Sequence, residues 1–170
     1  IVVPYRESWA RDFTACQREL DSVFSADGVS IEHIGSTAVH GLAAKPVIDV
    51  LLGASSLTAI ESRIGELTAR GYTYVPKYER EIPARRYFTK SPVASARIHL
   101  HGVLLGAPIW RAHLAFRDAL RRDPDLRSRY QALKVQLAEE FASDKSRYTE
   151  AKDPFIQSVL AMLGNRADHT

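Results

Sequence analysis

Hydrophobic positions recur along the chain first at the spacing of a helix and then at the spacing of strands, and this change predicts the order of elements. An amphipathic helix is predicted to begin at a capping Ser8, and a second to end at Gly71, where glycine suits the turn after a helix. Aromatic and β-branched runs are typical of strands. The predicted helices cover 8–24 and 57–67, and the predicted strands cover 29–34, 46–52, 72–77, 85–89 and 97–105.

The C-terminal part of the chain, from Pro108 onward, is predicted to be helical. Apolar spacing indicates one helix around 110–120, and the Asp-Pro pairs at 123–124 and 153–154 each have the form of a helix start. No internal repeat or low-complexity linker interrupts the pattern. Residues 1–170 are therefore predicted to form a single α+β domain, in which a small mixed or antiparallel sheet precedes a helical C-terminal portion.

The composition indicates the class of protein and its predicted location. The chain has 170 residues, of which 45% are hydrophobic and 25% charged, which is typical of a soluble globular protein. No apolar run approaches the roughly 20 residues of a membrane helix, and the N-terminus does not resemble a signal peptide, so a cytoplasmic location is predicted. Cys16 is the only cysteine, which excludes an internal disulfide and a thiolate zinc site and favours a packed thiol.

Basic residues are concentrated in the predicted C-terminal helices, although the net charge is only +3. Positions 110–134 contain seven Lys or Arg residues but only three Asp residues. A phosphate-bearing partner and a solvated helix face are both consistent with this charge. Because basic and aromatic residues do not interleave in a recognised binding motif, no nucleic-acid role is predicted.

The segment 31–52 is the strongest candidate for chemistry. Gly35 and Ser36 follow a predicted strand, where a glycine leaves backbone N–H groups accessible to a phosphate. Asp49 then lies inside an apolar strand, where an ionised carboxylate is costly unless a cation, a metal or solvent meets it. The segment therefore predicts a phosphate-binding turn beside a functional carboxylate, although an ordinary turn and a buried ion pair with Lys45 or Arg86 are the structural alternatives.

The motif HIGSTAVHGLAAKPVIDV, at 33–50, resembles the signature of the GrpB family. The resemblance extends over nearly the whole chain, through RRYF (85–88), HLH (99–101), FRDAL (116–120), Tyr130 with Lys134, and YTEAKDPFI (148–156). It implies a nucleotidyltransferase-like fold, in which a Gly-Ser turn precedes a strand that carries metal-binding carboxylates. Some members of the family are fused to a dephospho-CoA kinase, so that enzyme is a possible partner by fusion only.

Nucleotidyl transfer usually requires two Mg²⁺ ions, held by an Asp-x-Asp pair on one strand and by a third acid on a neighbouring strand. Asp49 occupies the first position, but Leu51 occupies the second, and an alkyl side chain cannot bind Mg²⁺. The predicted strand 97–105 offers His99 and His101 on one face, which suit a transition metal better than magnesium. A second acid would have to come from elsewhere.

Three hypotheses remain open from the sequence. The first is an enzyme of nucleotidyl or phosphoryl transfer, with Mg²⁺ as cofactor, in which Asp49, His99 and His101 are catalytic. The second is a module that binds a nucleotide, a CoA-type ligand or another phosphorylated small molecule without turnover, and this explains Leu51 most directly. The third is a transition-metal site formed by Asp49, His99 and His101, which requires their two strands to be adjacent. In the first two, the predicted phosphate ligands are Gly35, Ser36, Thr37, Lys45, Arg86, Tyr148 and Lys152.

Particular assignments depend on geometry that the sequence leaves open. Arg85 and Arg86 point in opposite directions on a strand, so only one of them can face the site, and Arg86 is preferred. Tyr148 and Lys152 share a face only if their segment is helical. Each histidine taken singly is more often structural, but their alternate spacing is equally consistent with one pocket wall.

Overall fold

The computed structural model describes the backbone of residues 1–168 and the side chains of residues 1–164. Within these residues the chain forms six α-helices and five strands. The helices are α1 (Ser8–Val23), α2 (Leu57–Glu61), α3 (Ile64–Ala69), α4 (Pro108–Arg122), α5 (Pro124–Glu140) and α6 (Lys145–Asp168). The strands are β1 (Ser30–Ile34), β2 (Val47–Ala54), β3 (Thr73–Tyr74), β4 (Arg85–Lys90) and β5 (Arg97–Leu104).

The five strands form one mixed sheet in the order β1-β2-β5-β4-β3. The central pair, β2 and β5, is parallel, and every other neighbouring pair is antiparallel. Because successive side chains alternate across a sheet, each strand divides its residues between two faces. One face packs with α1, α2 and α3 into the main hydrophobic core, through buried residues such as Ile48, Val50 and Leu100. The other face lies towards α4, α5 and α6.

The C-terminal helices cover only part of the second sheet face. Leu51 and Val103 pack with Trp110 of α4 in a small apolar cluster. A separate cluster, which includes Leu120, Tyr130 and Val159, holds the three helices together. The remaining part of this sheet face carries polar side chains and is the location of the candidate site. Among residues 1–168, no helix is both long enough and apolar enough to cross a membrane.

The α+β class with a helical C-terminal portion is confirmed, but four local predictions need correction. Ser8 is the first residue of α1 and does not cap it, because Glu7 occupies the cap position. The helix predicted over 57–67 is broken into α2 and α3 at Ser62, whose hydroxyl donates to the Ala59 carbonyl. The strand predicted over 72–77 is shortened to β3, because Pro76, which has no N–H, begins a 3₁₀ turn.

The fourth correction concerns the C-terminal helix. Pro154 does not begin a helix but lies inside α6, which runs without interruption from Lys145. The start signal is instead Asp144, whose carboxylate accepts a hydrogen bond from the Arg147 N–H at 3.1 Å. This earlier start places Tyr148 and Lys152 one helical turn apart on the same side of α6. The thiol of Cys16 is buried, as predicted, 3.2 Å from the Tyr72 hydroxyl.

Candidate functional site

The Gly-Ser turn lies directly against the Asp49 carboxylate. The end of β1 pairs with β2 so that Ile34 is opposite Asp49, and the chain turns back over that aspartate at Gly35. Gly35 has a φ of +75° and a ψ of −175°, a combination that is open essentially only to glycine. A Cβ at this position would lie 2.6 Å from Asp49 Oδ2. Gly35 is therefore required both by its backbone conformation and by the closeness of the carboxylate.

Asp49, His99 and His101 converge on one sheet face. Strands β2 and β5 are adjacent and parallel, with Asp49 in register with His99 and Leu51 in register with His101. His101 Nε2 lies 3.0 Å from Asp49 Oδ1, and His99 Nδ1 lies 3.8 Å from the same oxygen. The alternate spacing of the two histidines therefore reflects a shared pocket wall.

Two arginines donate hydrogen bonds to the imidazole nitrogens that point away from Asp49. Arg85 donates to His101 Nδ1 at 3.3 Å, and Arg97 donates to His99 Nε2 at 3.1 Å. A ring nitrogen that accepts a hydrogen bond carries a lone pair, so the proton of each neutral imidazole is on its other nitrogen. Both histidines therefore turn an N–H towards Asp49, His101 from Nε2 and His99 from Nδ1.

The electrostatics of the site favour an ionised aspartate and a neutral His99. Burial acts to raise the pKa of Asp49, but the hydrogen bond from His101 and the positive potential of His101, His99 and Lys152 bring it below its ordinary value. The Asp49 side chain remains 28% exposed, so a ligand can reach it. Burial lowers the pKa of His99, and although the charge of Asp49 opposes this, the neighbouring cations act in the same direction as burial, so the pKa lies below its ordinary value.

Three lysines form a cluster near Asp49. This lysine cluster consists of Lys45 before β2, Lys134 on α5 and Lys152 on α6. The ammonium groups of Lys45 and Lys152 lie against the ring of Tyr148, 3.8 and 4.6 Å from its centroid. Among the described side chains, no carboxylate lies within salt-bridge distance of any of the three. The lysine cluster therefore concentrates positive charge that no salt bridge among the described side chains neutralises, although Asp49 favours the charged form of Lys152.

Lys134 is the most unusual member of the lysine cluster. Its side chain is only 2% exposed, and its ammonium group donates to the Ala43 carbonyl at 2.6 Å. Burial, followed by the charges of Lys152 and Lys45, lowers the pKa of Lys134 to about 7. Burial also lowers the pKa of Lys152, although Asp49 acts in the opposite direction. A bound anion would relieve this mutual repulsion, because it offers the ammonium groups a counter-charge.

The hydroxyl residues of the turn have different roles. Ser36 interacts with Tyr130 of α5: burial and Tyr148 raise the pKa of Tyr130, and a hydrogen bond with Ser36 partly offsets them. Thr37 is buried, donates to the Val47 carbonyl at 2.8 Å and lies 3.0 Å from His33 Nε2. Since its single proton is used by Val47, Thr37 accepts from His33 and holds the turn in place. It is not placed to bind phosphate.

The preference for Arg86 over Arg85 is wrong. Arg86 lies on the opposite sheet face, where it donates to Glu61 at 2.9 Å and is 3.7 Å from Glu79. Arg85 is the arginine that faces the site, because β4 pairs Tyr87 with His101 and so places the odd-numbered residues of β4 beside the histidines. The alternation of these two arginines can be predicted from the sequence, but the register that decides between them cannot.

Leu51 occupies the position at which an Asp-x-Asp pair would have its second carboxylate, and it is part of the hydrophobic core. Leu51 is fully buried against Ile34, Val103 and Trp110, an apolar environment in which an ionised carboxylate is costly. Glu32, which lies on β1 opposite Leu51, forms a salt bridge of 2.7 Å with Arg117. Within the described side chains, no three His, Cys, Asp or Glu residues are arranged to hold a metal ion.

These donors do not fit a protein-held pair of Mg²⁺ ions, because Asp49 is not supported by a second carboxylate. One Mg²⁺ that arrives with a phosphorylated ligand is a different case, since such an ion commonly needs only one or two carboxylates besides the phosphate oxygens. A transition metal between the histidines does not fit either. The lone pairs of His99 and His101 point at Arg97 and Arg85, whereas a metal ligand must direct its lone pair at the ion.

Lys134 and Arg85 are site residues that the sequence alone does not identify. A signal for Lys134 was present, because it lies four residues after Tyr130 and three before Leu137, on the apolar face of α5. A lysine at such a position needs a reason to be buried. Arg85 had no comparable signal, since its direction depends on how β4 pairs.

The fold is shared with nucleotidyltransferases. The structure of the Cid1 poly(U) polymerase bound to MgGTP matches 81% of this chain and 44% of its own chain, with a TM-score of 0.56 and 14% identity. At this identity the likeness shows the fold alone, which is nucleotidyltransferase-like. The crystal structure of GrpB from Enterococcus faecalis is more similar, with a TM-score of 0.82, 32% identity and 94% of each chain covered.

A family model described as GrpB protein matches residues 1–162. The chain belongs to the GrpB family. The glutamate-rich protein GrpB of Alkalihalophilus pseudofirmus is 32% identical to it, over 94% of this chain and 93% of that protein. The UPF0157 protein YqkA of Bacillus subtilis is 37% identical over 93% of this chain, which spans only 45% of the length of YqkA.

A further relative is longer and has an enzyme name. A dephospho-CoA kinase of Mycolicibacterium paratuberculosis is 28% identical over 99% of this chain, which spans 47% of the length of that kinase. This agrees with the expectation of fusion to a kinase in some members of the family. It identifies no partner for this chain.

Proposed function

We propose that this protein binds a phosphorylated small molecule, with the phosphates on the lysine cluster beside Asp49. The observation that carries the proposal is the convergence of Lys45, Lys134 and Lys152, none of which forms a salt bridge with a carboxylate among the described side chains. The charges of Lys152 and Lys45 disfavour the ammonium form of Lys134, and a bound polyanion would offset that repulsion and so contribute to binding. The nucleotidyltransferase-like fold supports a nucleotide as the first class to test.

Nucleotidyl or phosphoryl transfer is the second candidate, and Asp49 is the observation that favours it. Its carboxylate is ionised, reachable and located between the lysine cluster and two imidazole N–H donors. In such a reaction Asp49 would orient or deprotonate an attacking group, while Lys45 and Lys152 would offset charge on the transferred phosphoryl group. Mg²⁺ carried by the ligand would be held by Asp49 and would supply further neutralisation.

Thermal unfolding in the presence of ligands tests the binding proposal. ATP, GTP, CTP, UTP and CoA are added separately, each with and without Mg²⁺. A ligand at 100 times its Kd should raise the Tm of a chain of this size by about 5–10 °C. If none of these compounds changes the Tm, the proposal is wrong for this class of ligand.

Asp49→Asn separates binding from transfer, because asparagine keeps the size of the side chain and removes its charge. If the protein is a transferase, the variant should lose turnover by at least about 100-fold while it still binds the ligand. If wild-type protein binds ligand but neither protein turns it over with a range of acceptors, the non-catalytic module is favoured. Elemental analysis of untagged protein tests the transition-metal alternative: a stoichiometric metal that His99→Ala removes would establish it.

A further inference from the structure

An aromatic surface borders the site beside the two histidines. We call it the aromatic wall, and it consists of Tyr78, Tyr87, Arg85 and His99. The ring of Tyr87 lies edge to face with Tyr78 at 5.8 Å and with His99 at 5.6 Å between centroids. Tyr87 is on the site face of β4 because it pairs with His101. The aromatic wall is therefore continuous with the histidines that contact Asp49.

Arg85 adds a cation to the aromatic wall. Its guanidinium carbon lies 4.7 Å from the centroid of the Tyr87 ring. Within the described structure, no carboxylate lies within salt-bridge distance of Arg85, whereas Arg86 contacts Glu61 and Arg117 contacts Glu32. A guanidinium stacked on an aromatic ring, without an acidic partner, is suited to extend the stack to another planar group.

The aromatic wall lies two strands away from Asp49 on the sheet. Strands β2 and β4 are separated by β5, so two strand spacings place Tyr87 about 10 Å from Asp49 across the sheet. Lys45 precedes β2, which β5 separates from β4, and Lys152 is close enough to Asp49 for their charges to interact. Tyr78 is 38% exposed and the side chain of His99 27% exposed, so the aromatic wall remains open to solvent. A molecule with phosphates at one end and a ring at the other can contact both surfaces.

We propose that the ligand carries a planar heterocycle, as a nucleotide does, and that this ring binds against Tyr78, Tyr87 and Arg85 while its phosphates bind the lysine cluster. The inference rests on the proposed function and narrows its ligand class. It distinguishes a nucleotide-like ligand from a sugar phosphate or an inorganic polyphosphate, because those compounds have no ring that can stack. It also gives Arg85 a binding role in addition to its hydrogen bond with His101.

Calorimetric titration of tripolyphosphate and of ATP, GTP, CTP and UTP, all with Mg²⁺, tests the inference. In wild-type protein at least one nucleotide should bind roughly 5- to 100-fold more tightly than tripolyphosphate, which is the contribution of a stacked base. Tyr78→Leu and Tyr87→Leu should remove this advantage and leave tripolyphosphate binding unchanged. Tyr78→Phe and Tyr87→Phe, which keep the ring, should retain it.

Two results would overturn the inference. In the first, wild-type protein binds tripolyphosphate as tightly as every nucleotide, so that phosphate binding stands and the aromatic wall adds nothing. In the second, Tyr78→Leu weakens tripolyphosphate and nucleotides equally; because Tyr78 is exposed, this variant should fold even if Tyr87→Leu does not. If wild-type protein binds none of these compounds, the proposed function itself fails, and this inference fails with it.

Discussion

His101 donates a hydrogen bond from Nε2 to the Asp49 carboxylate at 3.0 Å, and this contact joins the two central strands of the sheet at the candidate site. The opposite nitrogen of His101 accepts from Arg85, which fixes the direction of the contact. Because Arg85 occupies Nδ1, the proton of neutral His101 stays on Nε2, and Asp49 remains the acceptor of this hydrogen bond. This fixed direction and the charges around it determine how the site should respond to substitution and to pH.

The two histidines should be found in opposite neutral tautomers. Arg85 leaves the proton of His101 on Nε2, whereas Arg97 leaves the proton of His99 on Nδ1. Long-range ¹H–¹⁵N correlation spectra of histidine-labelled protein at pH 8 distinguish the two forms. Arg97→Met should allow His99 to populate its Nε2–H form, and Arg85→Met is the control that should leave His99 unchanged. Finding His99 with an unprotonated Nδ1 in wild-type protein would contradict the arrangement.

Gly35→Ala should destabilise the protein by about 2–4 kcal/mol, because it combines an unfavourable backbone conformation with a clash. The new Cβ would lie 2.6 Å from Asp49 Oδ2. Gly41→Ala is a matched control, since Gly41 also has a positive φ but a Cβ added there would meet nothing within 4 Å; it should cost only about 1 kcal/mol. Urea denaturation measures both free energies of unfolding, and equal losses would show that the contact with Asp49 is unimportant.

Leu51→Asp should fail to create a second metal-binding carboxylate and should instead destabilise the fold by about 3–5 kcal/mol. Leu51 is fully buried against the apolar side chains of Ile34, Val103 and Trp110, where an ionised carboxylate would lose its hydration. Leu51→Met, which keeps the side chain apolar, should cost less than about 1.5 kcal/mol. A stable Leu51→Asp protein that gains Mg²⁺ binding would show that this position tolerates an acid.

Ligand binding should take up a proton at Lys134. Its pKa is lowered to about 7 in the free protein, so above pH 7 the amine is mostly neutral. A bound polyanion favours the ammonium form, and the affinity for ATP should therefore fall as pH rises from 7.5 to 9.5, with a slope that approaches about tenfold per unit. Calorimetry in buffers of different ionisation enthalpy measures this uptake. Lys134→Met should flatten the profile, and an equally steep profile in that variant would exclude Lys134 as its source.

The α+β class and the central residues of the candidate site could be predicted from the sequence. The helical and strand spacings are local properties, and the β2 and β5 patterns already placed Asp49 alone on one strand and His99 with His101 on another. Their convergence required only that these strands be neighbours. Arg85 and Lys134 required more, because strand register and helix packing decide which side chains reach the site. The break at Ser62 and the uninterrupted α6 through Pro154 likewise reflect tertiary context outweighing a local signal.

The central claim is that the lysine cluster binds the phosphates of the ligand. Its most direct test is calorimetric titration of whichever nucleotide stabilises the wild-type protein into Lys152→Met and Lys90→Met. Both variants lose one positive charge, but Lys90 pairs with Glu19 on the opposite sheet face. Lys152→Met should weaken binding by roughly 10- to 100-fold, the effect of losing one charge-assisted contact, while Lys90→Met should bind like wild type. Equal binding by the two variants would contradict the claim.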